Sequence, residues 1–306
     1  MQTQAIAPED LARSVIAVPP LCRDQSLRID PAENAKLIRH IEGGGVTTLL
    51  YGGNANLYHI AVSEYAELLD MLETSAAGDT LVVPSVGPSY GNILDQAAIL
   101  KGRDFPAAMI LPAVFPVSEA GVKASVRAFA EASGIPAVLY IKNEGYITPE
   151  GAAELVHDGI ISWIKYAIVR QNPDQDEFLS KLIQLVDPKV IVSGIGEQPA
   201  PSHLLKFGVG GFTSGCVCVQ PALSAQMLIA LKAGDRSRAE SIRTQFSALE
   251  DLRNAHGPIP VLHHAVAGAG IAETGPHLPL LGGLADPIVA EVASAALALR
   301  NLPVEV

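Results

Sequence analysis

A single lysine, Lys165, stands near the middle of an otherwise apolar run, Gly159-Ile160-Ile161-Ser162-Trp163-Ile164-Lys165-Tyr166-Ala167-Ile168-Val169. In a buried strand an ammonium must lose its water or find a partner, and loss of the proton is the easier outcome. A neutral, desolvated amine is a nucleophile that attacks carbonyl carbons to give Schiff bases. The other reading is a strand-end lysine whose stem is buried and whose ammonium reaches water. Tyr140 lies in a second apolar run, Ala137-Val138-Leu139-Tyr140-Ile141-Lys142, 25 positions earlier. That interval is about one βα unit, so adjacent strands can aim both side chains into one pocket. A phenol beside the amine can relay the protons that carbinolamine formation and dehydration require. A core tyrosine with a satisfied hydroxyl is the alternative. The turn Gly52-Gly53-Asn54-Ala55-Asn56 offers backbone N–H groups where a helix begins, a place that can cradle a carboxylate.

These residues sit in a regular alternation of short apolar runs and longer helical patterns. Eight runs read as strands, at 14–18, 46–51, 80–83, 107–111, 137–141, 160–165, 190–193 and 210–214. Asp30-Pro31-Ala32-Glu33 and Thr148-Pro149-Glu150 read as helix starts, each with a capping side chain before a first-turn proline. Strands apolar on both faces and separated by helices predict a parallel sheet, and eight such units predict a closed (β/α)₈ TIM barrel. A doubly wound dinucleotide-binding sheet would want G-x-G-x-x-G after the first strand, where Pro19-Pro20-Leu21-Cys22 stands instead. The strand signal stops near residue 234. Helical spacing then runs over 236–254, and Asp286-Pro287 opens an alanine-rich helix to about 299. The expected division is a barrel over 1–234 and a C-terminal helical extension over 235–306.

Of the 306 residues 49% are hydrophobic and 17% charged, which excludes a disordered chain. A formal net charge of −11 works against binding nucleic acid or an anionic membrane surface, so neither is an expected partner. Cys22, Cys216 and Cys218 are too few for a disulfide framework. Cys216 and Cys218 would share one face of a strand as buried thiols, and no metal or cofactor is expected. The first ten residues have neither a basic start nor an apolar core, and no apolar run reaches the ~18 residues of a membrane span. A cytoplasmic location is the resulting expectation.

Over nearly its whole length the chain resembles the dihydrodipicolinate synthase and N-acetylneuraminate lyase family of class I pyruvate-type aldolases. Gly52-Gly53-Asn54-Ala55-Asn56 stands where that family has Gly-Thr-Thr-Gly-Glu. Tyr140 matches its strand-five tyrosine and Lys165 its Schiff-base lysine. Gly211-Phe212-Thr213-Ser214-Gly215 with Pro221 resembles Gly-Val-Ile-Ser-Val and the proline that follows, and His277-Leu278-Pro279-Leu280 resembles Arg-x-Pro-Leu. The resemblance implies a lysine-dependent lyase, aldolase or dehydratase acting on a 2-keto acid, in a homo-oligomer, dimer or tetramer. Lys165 and Tyr140 are then catalytic, and Gly52, Gly53, Asn54, Lys142, Asn143, Gly194 and Ser214 form the expected substrate-binding set.

The departures are specific. Gly53 and Asn54 replace both threonines of the family turn. Pro112-Ala113-Val114 replaces Pro-Tyr-Tyr, removing a tyrosine that crosses a subunit contact. The arginine that receives the second substrate's carboxylate is absent from Lys142-Asn143-Glu144-Gly145-Tyr146. The sequence therefore argues against a dihydrodipicolinate synthase and for a sugar-derived substrate whose second half is neutral or hydroxylated, met by Asn54, Asn56, Lys142 and Asn143. Two rivals are a silent relative that binds a small acid, as sensor or partner, and a phosphate-binding barrel enzyme using Gly194-Ile195-Gly196 and Gly208 to Gly211.

Overall fold

The computed structural model describes residues 1–304. Nine parallel strands run β1 (Ile16–Ala17), β2 (Thr48–Leu50), β3 (Leu81–Val83), β4 (Ser85–Val86), β5 (Ala108–Ile110), β6 (Ala137–Ile141), β7 (Ile161–Tyr166), β8 (Ile191–Ser193) and β9 (Gly211–Ser214). They are interleaved with α1 (Pro8–Arg13), α2 (Pro31–Gly43), α3 (Val62–Ser75), α4 (Tyr90–Leu100), α5 (Glu119–Ser133), α6 (Pro149–His157), α7 (Glu177–Leu185), α8 (Ala200–Lys206) and α9 (Pro221–Lys232). The spatial order is β3-β2-β1-β9-β8-β7-β6-β5-β4. Its two ends, β3 and β4, are one stretch of chain interrupted at Pro84, so the ring is a (β/α)₈ barrel whose third strand is split. Proline has no N–H to continue a ladder. Its carbonyl still accepts from the Met109 N–H at 2.8 Å, and Leu111 N–H donates to Val86 at 2.9 Å, which ties the seam to β5.

The helix starts form as their side chains dictate. Asp30 accepts the Ala32 and Glu33 N–H groups at 3.0 and 3.1 Å, and Thr148 accepts the Gly151 N–H at 3.0 Å. Beyond the barrel lie α10 (Arg236–His256), α11 (Pro258–Gly268) and α12 (Asp286–Arg300). Helix α10 buries Ala239, Ile242, Phe246 and Leu249, the stripe its periodicity predicts. The strand expected to carry Cys216 and Cys218 ends before them. Both thiols lie in a 3₁₀ turn after β9, buried and unpaired like Cys22, so they do not share a strand face. Among the described residues no helix is long and apolar enough to cross a membrane, and no group of three or more His, Cys, Asp or Glu is arranged to hold a metal ion.

Candidate active site

Strands β6 and β7 pair with Tyr140 opposite Lys165, and side chains opposite one another in register stand on one face of the sheet. Both reach a cavity of about 580 Å³ beyond the carboxyl ends of the strands, where barrel enzymes place their chemistry. Lys165 is only 4% exposed, and its Nζ lies 4.4 Å from the centre of the Tyr140 ring. Burial, then the charges of Lys142 and Arg253, push its pKa down from 10.5 to about 7. Near neutral pH a large share of the amine is therefore unprotonated and nucleophilic. Burial raises the Tyr140 phenol well above its ordinary range, so it stays protonated and able to donate. The end of β8 crosses directly over the lysine stem: a Cβ on Gly194 would lie 2.9 Å from Lys165 Cγ. Only glycine allows that approach.

The β2 turn lies on the same cavity. Asn54 lines it, with its amide donating to the Val18 carbonyl at 3.0 Å and its own carbonyl 3.0 Å from His263 Nε2. Among the described residues the backbone N–H groups of Asn54 and Ala55 donate to nothing, whereas those of Asn56 and Leu57 close back on Gly53 and Gly52. A Cβ on Gly53 would stand 3.5 Å from Tyr58 Cε2 and 4.0 Å from its hydroxyl. The Tyr58 ring therefore flanks the space left by a missing turn side chain.

Of the expected residues the fold brings Lys165, Tyr140, Asn54, Lys142 and Gly194 to the cavity wall. It does not bring Gly52, Gly53, Asn143 or Ser214 there. Gly52 packs on Met109 and Ser85, and Asn143 is exposed on its loop. The Ser214 hydroxyl donates outward to Glu197 at 2.8 Å, while Thr213 lines the cavity. Asn56 is a further correction: it is 3% exposed, left-handed at φ 55°, and its amide is buried without a partner, off the cavity wall.

Sequence reasoning missed Arg253, which α10 projects into the cavity. It also missed Arg170, which closes one side in ion pairs with Glu144 and Asp176. His203, 2.8 Å from the Ser193 hydroxyl and held by burial to a pKa of about 4, is a neutral wall residue.

The profile of the dihydrodipicolinate synthetase family matches residues 12–288. The chain belongs to that family. A 4-hydroxy-tetrahydrodipicolinate synthase from Xanthomonas axonopodis pv. citri is 27% identical over 295 residues, 92% of this chain and 93% of that protein. Dihydrodipicolinate synthase from Bacillus clausii superposes with a TM-score of 0.84 at 22% identity, covering 96% of this chain and 99% of the other. The sialic acid aldolase of Ruminococcus gnavus superposes with a TM-score of 0.81 at 19% identity, over 94% and 97%. As a dihydrodipicolinate synthetase family member the chain has the barrel expected of it.

The buried lysine has a cost that varies with pH. Unfolded, its pKa returns to about 10.5; folded, it is about 7, so between these values the unfolded chain binds more protons and stability rises with pH. Lys165→Met removes that penalty. Its melting temperature is expected to exceed the parent's, with a gap that widens as pH falls from about 10.5 to 7 and is constant below. A pH-independent gap in thermal melts would refute the depressed pKa.

Proposed function

We propose that the protein is a Schiff-base-forming lyase, an aldolase or dehydratase acting on a sugar-derived 2-keto acid. The observation that carries the reading is Lys165, buried and pKa-depressed at the cavity, with Tyr140 on the facing strand. In the proposed cycle the free Nζ lone pair adds to the keto carbon, the oxygen takes a proton from the Tyr140 hydroxyl, and the nitrogen returns one to the phenolate to give a neutral carbinolamine. Loss of that oxygen as water, with a proton delivered through Tyr140, leaves an iminium that accepts the electrons of a breaking bond on the neighbouring carbons. The Asn54 N–H, unpaired among the described residues and on the cavity wall, holds the acid's carboxylate. Tyr58 stands in for the turn hydroxyl as the next member of the relay.

The relay differs from the family's at Gly53, Asn54 and Val114, and on that ground we infer that the protein is not a dihydrodipicolinate synthase. The absent loop arginine no longer supports the inference, because Arg253 brings a guanidinium to the cavity from another element. A coupled assay with pyruvate and aspartate semialdehyde tests it: turnover near ~1 s⁻¹, ordinary for an enzyme, would refute it. Borohydride trapping read by intact mass is expected to give one adduct per chain with at least one 2-keto acid. Trapping without turnover on any keto acid would favour the silent relative instead. The phosphate-binding reading loses its second turn, since Gly208 to Gly210 lie between α8 and β9 and Gly211 opens β9, at the barrel end opposite the cavity.

Val114 and Phe115 are 83% and 88% exposed on the loop after β5. Exposed apolar side chains of this size favour burial against another chain, which fits a homo-oligomer. Light scattering at micromolar concentration is expected to give a dimer or tetramer, and a monomer would defeat this.

A further inference from the structure

The chain carries 32 acidic and 21 basic residues, yet the cavity wall reverses that balance. Lys142, Lys165, Arg170 and Arg253 line it, and no Asp or Glu does. A concave site lined by one sign of charge concentrates ligands of the other.

The four basic residues are not equivalent. Lys165 is the proposed nucleophile. Arg170 is neutralised by Glu144 and by Asp176, whose oxygens lie 3.1 Å from its Nε and Nη2. Lys142 stands exposed on its loop. Arg253 is different: it is 7% exposed and fixed in place by a dedicated set of contacts. Its Nη2 donates to the Ile195 carbonyl at 2.7 Å and to Asn254 Oδ1 at 3.1 Å. The β8 loop makes room for it with Gly196 at φ +102°, where a Cβ would stand 2.6 Å from Arg253 Nη1 and 2.2 Å from Glu250 Oε1.

That arrangement leaves Nη1 without a hydrogen bond among the described residues. Its nearest carboxylate oxygen, on Glu250, is 3.6 Å away. Glu250 is itself engaged by the Glu197 N–H at 3.0 Å, and both carboxyls are fully buried. Burial raises both pKa values, the charge of Glu197 adds to the rise at Glu250, and the Arg253 guanidinium acts against both shifts. A buried guanidinium on the cavity wall with Nη1 donors unspent calls for an oxyanion, which it can grip in a fork. On the proposed reading the keto acid's own carboxylate is met by the turn at Asn54.

We propose that the substrate is a 2-keto acid bearing a second anionic group, and that Arg253 is the residue that binds it. The proposal rests on the Schiff-base reading and narrows its substrate class. It replaces the neutral or hydroxylated second half expected from the sequence. Carboxylate and phosphate share the required chemistry, so the probes include both.

The test compares 2-keto acids of equal length with neutral and anionic tails: 2-oxopentanoate against 2-oxoglutarate, 2-oxohexanoate against 2-oxoadipate, and a phosphonate-tailed analogue. Half-saturation is read from borohydride trapping by intact mass. Calorimetry with pentanoate and glutarate, which cannot form imines, reads the same preference without the lysine. An anionic tail is expected to tighten binding by about 10-fold or more at one length at least. Arg253→Gln should erase most of that gain and weaken anionic-tailed acids far more than neutral ones, with Arg253→Lys intermediate. The proposal is overturned if no anionic tail outperforms its neutral counterpart in the parent protein, or if Arg253→Gln weakens both classes equally. The first comparison needs no variant, so a variant that misfolds does not shelter the idea. Failure of every keto acid to trap, with glutarate still preferred over pentanoate, would sink the lysine chemistry and leave the second-anion site standing.

Discussion

Lys165→Ala is expected to give a folded protein that forms no borohydride-stable adduct with any 2-keto acid, with turnover reduced by roughly 10⁴-fold or more. Removal of a covalent nucleophile eliminates the intermediate through which every later step passes, and losses of that order accompany such deletions. The fold should survive because the substitution also removes a buried ionisable group, 4% exposed in the parent. On the proposed mechanism the attacking species in the parent is the neutral amine. The trapping rate should therefore rise with pH through the lysine's value of about 7 and level off above it. Adduct formation by Lys165→Ala at the parent's rate would place the chemistry on another residue.

Tyr140→Phe should lower turnover by roughly 10²-fold or more while leaving the melting temperature close to the parent's. The substitution keeps the ring, whose centre lies 4.4 Å from the lysine nitrogen, and deletes only the hydroxyl. An effect on rate without one on packing is what separates a proton relay from a wall residue. The loss should fall on turnover more than on half-saturation, because Tyr140 is assigned proton transfer and the turn is assigned binding. An unchanged rate would remove Tyr140 from the mechanism.

Lys165 and Tyr140 were legible because strand membership and the interval between them suffice to pair them. Neighbouring parallel strands align in register, and Tyr140 and Lys165 do so residue against residue. The phase of alternation at a strand end was less legible. In β9 both Thr213 and Ser214 are buried, so the sequence offers no polar and apolar faces to tell the cavity side from the helix side. Ser214 turned out to serve Glu197 in the layer behind.

Arg253 was illegible for a different reason. Its helix shows a clean apolar stripe, which fixes that α10 packs but not which end overhangs the barrel mouth. A local signal existed in Gly196, a glycine in the loop after β8, though its partners Glu250 and Arg253 are far away in sequence. The split at Pro84 was visible as a proline after the third run, and the two residues beyond it are too short a strand for periodicity to register. Helix α1 was missed on the same grounds, being 6 residues long with one fully buried side chain.

The seam at Pro84 has a bearing on how this protein ages in solution. An open sheet presents two rows of unpaired amides on which foreign strands can be templated. Here the first and last strands of the order are halves of one segment, so the ring offers no such row. Fibril growth then has to wait for the barrel to open, and the rate of unfolding, not the concentration of native protein, should set the lag before aggregation.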